Sequence, residues 1–246
     1  MLYFYTTRKL IMTQKIIFTP TTEDALLLDR PPAPAISLIP NWYKDIPPMY
    51  GDGKFHLTEG KNNRTLKACM PFFDAMTAGY IFTLNEDIIV SWSPDGVVPI
   101  FNWRSGREPI SFHTVEQHQG IPVPDGYSMF VMKFENQWQI SLPDGYSLFC
   151  THPANRYDLP FQTLSGFVDA DTFPLTIAFP FFIKNGWEGI IETRTPIVQY
   201  IPIKRDNWIS SVREHNEKEF KKNYFFFLRK IMNSYKNQYW HRKSYK

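Results

Sequence analysis

One segment of the sequence occurs twice, as Pro124-Asp125-Gly126-Tyr127-Ser128-Met129-Phe130 and, 19 residues later, as Pro143-Asp144-Gly145-Tyr146-Ser147-Leu148-Phe149. In each copy the proline presets φ and the glycine accepts a positive φ, so Pro-Asp-Gly predicts a turn. The aromatic and aliphatic residues that follow are typical of a strand. The segment between the copies predicts an antiparallel meander that turns at residues 135–137. The repeat therefore indicates a mainly β, antiparallel fold.

The same pattern of short strands and turns extends outward from the repeat. Strands are predicted at 80–84, 88–92, 97–103, 176–183, 187–191 and 197–203. Thr65 to Ala78 predicts one short internal helix, which restarts near Pro71 and is closed by Gly79. Residues 15–64 are rich in proline and predict an arm and a loop in front of the β-rich core at 65–205.

Composition limits the class of protein. Hydrophobic residues make up 43% and aromatic residues 17% of the 246 residues, which supplies enough apolar surface for a core and excludes a disordered chain. Two cysteines, Cys69 and Cys150, are too few for a disulfide framework and favour a reducing cytoplasm. The sequence has no apolar run of about 18 residues, so no membrane-spanning helix is predicted. Residues 1–14 are interpreted as an extension, with translation expected to begin at Met12.

Charge is divided unequally along the chain. Residues 204–246 carry a net charge of +8 and the remainder carries −5. The segment 206–246 predicts an amphipathic basic helix capped by Asp206, followed by alternating aromatic and basic residues. Such asymmetry indicates an interaction tail. Three consecutive phenylalanines, Phe225 to Phe227, cannot share one helix face, so a protein partner or a homo-oligomer is favoured over nucleic acid.

The motifs of several enzyme classes are missing from the sequence. It has no Gly-rich nucleotide loop, no His-Glu-x-x-His, no Gly-x-Ser-x-Gly and no Cys-x-x-Cys. His113 and His118 lie five residues apart without a third ligand nearby, so no metal site is predicted.

The candidate site residues lie between positions 143 and 205. His152, Asn155 and Arg156 share one loop, and the planar guanidinium of an arginine suits phosphate or carboxylate oxygens. Asp169 and Asp171 are two apart, so their carboxylates lie on one side of an extended chain. The alternative is structural: the aspartates shape a turn, His152 is a hydrogen-bonded loop residue, and Arg156 pairs with Asp158.

This region resembles the dUTPase and dCTP deaminase superfamily, which has the β-clip fold. The resemblance rests on a Pro-x-Gly-Tyr turn, an Arg-bearing loop, the segment 166–173 (Gly-Phe-Val-Asp-Ala-Asp-Thr-Phe) and the strand 196–201, which contains Gln199. It implies that Asp169 faces a pyrimidine nucleotide and activates water, and that Arg156 stands where the family has its phosphate-binding loop. His152, Asn155, Asp171 and Gln199 are the further candidate ligand-binding residues, and Mg²⁺ is expected only if a nucleotide binds. The family's Pro-Arg-Ser tripeptide and Gly-rich C-terminal arm are missing from this chain.

The whole chain also resembles a family of proteins of tailed phages of aquatic bacteria. The residues that carry this resemblance are 66–74 and 158–161. It implies a location in the host cytoplasm and no particular activity. Two classes of function therefore stay open: a nucleotide-binding or nucleotide-hydrolysing protein, and a non-catalytic protein that binds a partner through its basic, aromatic tail.

Overall fold

The computed structural model describes residues 13–58, 61–228 and 234–246. Its architecture is mainly antiparallel β with short helices, as the sequence predicts. The expected start at Met12 lies outside the described residues. The α-helices are α1 (Glu23–Leu28), α2 (Asn41–Asp45), α3 (Met70–Thr77), α4 (Glu217–Leu228) and α5 (Ser234–Gln238). Short 3₁₀ helices span Ala35–Leu38, Leu66–Ala68 and Val115–His118.

The strands follow one another along the chain from the arm to the tail. They are β1 (Ile17–Pro20), β2 (Ala33–Pro34), β3 (Leu57–Thr58), β4 (Lys61–Asn62), β5 (Tyr80–Thr83), β6 (Ile88–Trp92), β7 (Pro99–Asn102), β8 (Ile110–Phe112), β9 (Met132–Phe134), β10 (Trp138–Ser141), β11 (Tyr146–Thr151), β12 (Phe161–Thr163), β13 (Gly166–Val168), β14 (Phe179–Ile183), β15 (Gly189–Ile191) and β16 (Pro196–Lys204).

The strands form five sheets, and β16 is the central strand of the largest. The largest sheet has the order β13-β11-β16-β5-β2, and a second has the order β12-β14-β9-β8. A three-stranded sheet has the order β15-β6-β7, and two smaller pairs join β1 to β10 and β3 to β4. Every pairing is antiparallel.

The inward faces of these sheets pack into one apolar cluster. At its centre the rings of Phe134 and Phe181 stack with their centroids 3.8 Å apart, and Phe161 meets Phe134 edge to face. Burying a large aromatic side chain of this kind stabilises a fold by about 1.5–3 kcal/mol. Phenylalanine is therefore a main component of the core, although other phenylalanines, such as Phe167 and Phe220, are exposed.

The predicted meander is wrong. β9 pairs with β8 and β14, whereas β10 pairs with β1, so the chain changes sheets between them. Buried Asn136 directs this change, because its amide group donates to the carbonyl of Ile177 and its side-chain oxygen accepts from the backbone N–H of Trp138. Both Pro-Asp-Gly turns form, with positive φ at Gly126 and Gly145, but only the second leads into a strand.

Two predictions about helices also need correction. The predicted internal helix is present as α3, but the arm, for which the sequence predicts no helix, contains α1 and α2. The C-terminal helix does not begin at Asp206, whose carboxylate pairs with Lys204 instead. It begins at Glu217, where the Asn216 side chain caps it by accepting from the N–H of Glu219. No helix among the described residues has the length and apolar character needed to cross a membrane.

Candidate functional site

The loop after β11 uses its polar side chains to fasten itself to the sheet. His152 is buried, and its Nδ1 accepts from the N–H of Thr163 while its Nε2 donates to the carbonyl of Arg156. Burial lowers the pKa of His152, although the carbonyl of Arg156 acts in the opposite direction. The Arg156 guanidinium forms a two-pronged ion pair with the carboxylate of Asp158. Both side chains therefore have structural partners, as the alternative interpretation expects.

In the same region, Asn155 adopts an unusual backbone conformation, and Gln199 forms hydrogen bonds with backbone groups. Asn155 adopts a left-handed conformation, with φ of 62°, which asparagine tolerates better than most residues. Gln199 is fully buried in β16. Its amide group donates to the carbonyls of Ala75 and Ala78 at 2.9 and 2.6 Å, and its oxygen accepts from the N–H of Ala154. Gln199 thus joins α3 and the loop after β11 to the central strand.

The two aspartates belong to a second cluster around Arg205. The Arg205 guanidinium contacts both carboxylates, and Asp169 also accepts from the hydroxyl of Ser147 at 2.6 Å. The side chain of Asp171 is 3% exposed and that of Asp169 is 64% exposed. Hydrogen bonds from Arg205 hold the pKa of Asp171 at about 2, and the N–H of Gly145 adds a further one.

The structure places these two clusters at opposite ends of β11. Ser147 lies near the start of β11, and His152 comes directly after its end. At ~3.3 Å per residue in a strand, these two residues are about 17 Å apart. A groove of about 560 Å³ lies beside Asp169. It is lined by Phe167, Val168, Asp169, Thr172, Phe173, Pro174, Thr176, Ile177 and Ala178. None of His152, Asn155 and Arg156 reaches it, so the predicted residues do not form one joint site.

A larger groove lies where the N-terminal arm, α3 and the C-terminal tail meet, and we call it the arm–tail groove. Its volume is about 770 Å³. Its lining residues are Ile36, Ile39, Tyr43, Lys44, Lys67, Met70, Phe73, Asp74, Thr77, Lys236, Trp240, Arg242, Lys243, Ser244, Tyr245 and Lys246. Six of them are lysine or arginine and one is acidic, so the groove attracts anions.

The tail is held in this groove by contacts to α3 and β5. The carboxylate of Asp74 accepts from the indole N–H of Trp240 at 2.9 Å and from the ammonium group of Lys243 at 2.5 Å. The hydroxyl of Tyr80 donates to the carbonyl of Lys246, and the Tyr80 ring meets that of Tyr245 edge to face. Asp74, the one acidic side chain among the described residues that line the groove, is therefore already paired with the tail.

The cationic side chains of the groove differ in whether they already have a partner within the protein. The ammonium group of Lys67 donates to the carbonyls of Tyr43 and Lys44 and lies over the Tyr43 ring. Lys236 and Arg242 have no carboxylate partner within the part of the chain that the structure describes. These two charges are free to meet an anionic ligand.

The sequence did not reveal this groove as a site. The alternating aromatic and basic residues of the tail were the visible signal, but Asp74 lies 166 residues before Trp240, and nothing local marks it as their partner. Of the two thiols, Cys150 is buried and its pKa is raised to about 12, while Cys69 is half-buried. Within residues 13–58, 61–228 and 234–246, no three His, Cys, Asp or Glu side chains are grouped so that they could hold a metal ion.

Comparison of the chain with models of known protein families finds no match, and comparison with curated proteins finds none either. The resemblances to the dUTPase superfamily and to phage proteins therefore stay predictions.

Proposed function

We propose that this protein binds a nucleotide, and that the nucleotide lies in the arm–tail groove. The observation that carries the proposal is the combination of aromatic rings and unpaired cations in a groove of about 770 Å³. Small-molecule sites have volumes of about 300–1,000 Å³ and are mostly apolar with a few polar groups. A nucleotide matches this lining because it joins a flat, weakly polar base to an anionic phosphate chain.

The two ends of the ligand are recognised by different groups. Lys236 and Arg242 contribute the charges that attract phosphate oxygens, and the guanidinium can bind two oxygens at once. Trp240 and Tyr245 line the same groove, and both are only half-buried, so their rings offer surfaces to the base. Stacking of a base on an aromatic side chain contributes about 1–3 kcal/mol. We choose pyrimidine nucleotides for the test because residues 143–205 resemble the dUTPase superfamily, although none of those residues lines this groove.

The geometry favours binding over hydrolysis. Asp169, which the resemblance casts as the general base, lies in the Arg205 cluster, and the arm–tail groove does not include it. General-base catalysis needs the carboxylate within hydrogen-bond reach of the attacking water, and loss of such a base lowers the rate about 10²- to 10⁴-fold. Replacing Asp169 by Asn is therefore expected to leave nucleotide affinity unchanged.

A thermal-shift and calorimetry series tests the proposal. The ligands are dUMP, dUTP and dCTP, each with and without Mg²⁺, and inorganic triphosphate serves as the comparison without a base. A ligand of the folded state raises the melting temperature, and we expect a nucleotide to do so more strongly than triphosphate. The double variant Lys236→Ala/Arg242→Ala is expected to lower nucleotide affinity at least tenfold.

The matched control is Lys218→Ala/Lys222→Ala, which removes the same charge from the exposed surface of α4. An equal loss of affinity in both double variants would mean that net charge alone attracts the ligand. If triphosphate raises the melting temperature as much as the nucleotides do, the base does not contribute to binding. If no nucleotide raises the melting temperature, the proposal is wrong.

The alternative function, partner binding through the tail, draws support from a different observation. Residues 203–225 are exposed without interruption, although several of them are large and apolar.

A further inference from the structure

The segment between β16 and α4 is irregular, and each of its residues 205–216 is exposed. Its first two residues are held by ion pairs, Arg205 with Asp169 and Asp171, and Asp206 with Lys204. Further along, Trp208, Ile209 and Val212 have relative exposures of 89%, 97% and 101%. Large apolar side chains in full contact with water usually mark a surface that another molecule covers. We call residues 207–216 the linker.

Helix α4 continues this exposed region. Phe220 and Tyr224 lie one turn apart on it, and their rings stack with centroids 6.0 Å apart and an angle of 9° between their planes. Both side chains are more than half exposed. The linker and the described side chains of α4 thus both present exposed apolar groups.

Beyond α4, the chain returns to a folded body. The segment 240–246 packs against α3 and β5 through the pairs Trp240–Asp74, Lys243–Asp74 and Tyr245–Tyr80. The tail therefore has a defined docking groove, while the linker that leads to it has none.

We propose that two copies of this chain exchange their C-terminal tails, so that the tail of each copy lies in the arm–tail groove of the other. The two linkers then cross between the bodies and cover each other's apolar side chains. This inference does not depend on which ligand the groove binds.

The length of the linker permits the exchange. The linker has ten residues, which reach about 35 Å when fully extended. A folded body of about 200 residues has a radius of gyration of roughly 16 Å, so the linker can extend from one body to the next. A linker of this length has no need to return to its own body.

Charge favours a second copy as the partner. Residues 204–246 carry a net charge of +8 and the rest of the chain carries −5. The basic tail is therefore attracted to an acidic body, its own or that of another copy, and Asp74 is the groove residue with which it pairs, whereas two bodies without tails repel each other. After exchange, each groove makes the same contacts with a tail as before, because the two copies have identical docking groups.

The ion pair between Lys243 and Asp74 gives a direct test of exchange. A carbodiimide joins a carboxylate and an amine in contact as an amide, with loss of water. Chains labelled with ¹⁵N and unlabelled chains are unfolded together, refolded and cross-linked, and the peptides joined through Asp74 and Lys243 are weighed. Exchange predicts mixed-label peptides in about half of the cross-links. Cross-links that contain only one label overturn the proposal, whatever the oligomeric state.

Light scattering after gel filtration tests the role of the linker. The full chain is expected to be a dimer at micromolar concentration. The variant Trp208→Ser/Ile209→Ser/Val212→Ser is expected to dissociate at least tenfold more readily with an unchanged melting temperature for the monomer, since these side chains contribute nothing to the monomer core. The control Leu26→Ser/Leu27→Ser/Leu28→Ser alters three exposed residues of α1 and is expected to stay dimeric. A monomeric full chain, or a linker variant as dimeric as the control, overturns the proposal.

Discussion

At the scale of single residues, His152 illustrates how a polar side chain can serve the fold. Its two ring nitrogens connect the loop after β11 to β12 through Thr163 and to the carbonyl of Arg156. Because Nδ1 accepts from a backbone N–H, the neutral ring fits this position and a second ring proton does not. Burial lowers the pKa of His152 accordingly.

We expect the stability of the fold to depend on this histidine below neutral pH. In the unfolded chain His152 has a pKa of about 6.5, and in the folded protein its pKa is lower. As the pH falls below about 6.5, protonation of His152 therefore favours the unfolded state, and the free energy of unfolding decreases. Urea unfolding at pH 7.5, 6.5 and 5.5 measures this slope, and His152→Gln is expected to flatten it. Burial also lowers the pKa of His113. Both proteins contain His113, so its contribution to the slope cancels in the comparison. Parallel slopes in the two proteins would contradict the role of His152.

The sequence located the polar residues of this region but not their roles. A loop that gathers histidine, asparagine and arginine after a strand looks the same whether it binds a ligand or fastens itself to a sheet. The difference lies in partners that are distant in the chain, such as the carbonyls of Ala75 and Ala78, which Gln199 contacts. The pairing of Arg156 with Asp158, only two residues apart, was the one structural contact that the sequence could predict.

At the scale of elements, the junction of α3, β5 and β16 depends on one glycine. Gly79 ends α3 with a φ of +66° and leads directly into β5. A Cβ atom at this position would lie 1.8 Å from the carbonyl oxygen of Tyr200 in β16, far inside van der Waals contact. The close approach of helix end and strand therefore requires glycine.

Replacing Gly79 by Ala is expected to destabilise the fold by about 3–5 kcal/mol, because left-handed strain adds to a clash with backbone atoms that are held in a sheet. Gly126→Ala is the matched control, since Gly126 has a similar φ of +80° but no atom within 4 Å of the added Cβ. It is expected to cost on the order of 1 kcal/mol. Chemical unfolding of both variants measures the difference, and equal costs would show that the contact with Tyr200 is unimportant.

Local signals predicted the elements better than their arrangement. Turn residues and aromatic runs located β5, β6 and β16, and Pro71 and Gly79 marked the two ends of α3. The change of sheet between β9 and β10 depends on buried Asn136, whose partner Ile177 lies 41 residues away. The start of α4 was missed because Asp206 and Asn216 are both good helix caps, and only the ion pair with Lys204 distinguishes them.

At the scale of the whole molecule, the core and the tail are built from different residues. The large, fully buried side chains of the core all lie between Ile88 and Tyr200. The tail contacts the body through side chains that pack at its surface, such as Trp240 and Lys243 on Asp74. Folding of the body and binding by the tail are therefore separable in principle.

A truncation after Arg205 tests this separation. It keeps the ion pairs of Arg205 and removes 10 Lys and Arg against 4 Asp and Glu, so the net charge changes from +3 to −3. We expect the truncated protein to unfold cooperatively, with a melting temperature lowered by only a few degrees because no core side chain is lost. We also expect it to be monomeric and to show no stabilisation by nucleotides, since Lys236, Trp240 and Arg242 are gone. Circular dichroism and light scattering make the two measurements. A non-cooperative transition would mean that the tail belongs to the folding unit, and undiminished stabilisation by a nucleotide would place the ligand outside the arm–tail groove.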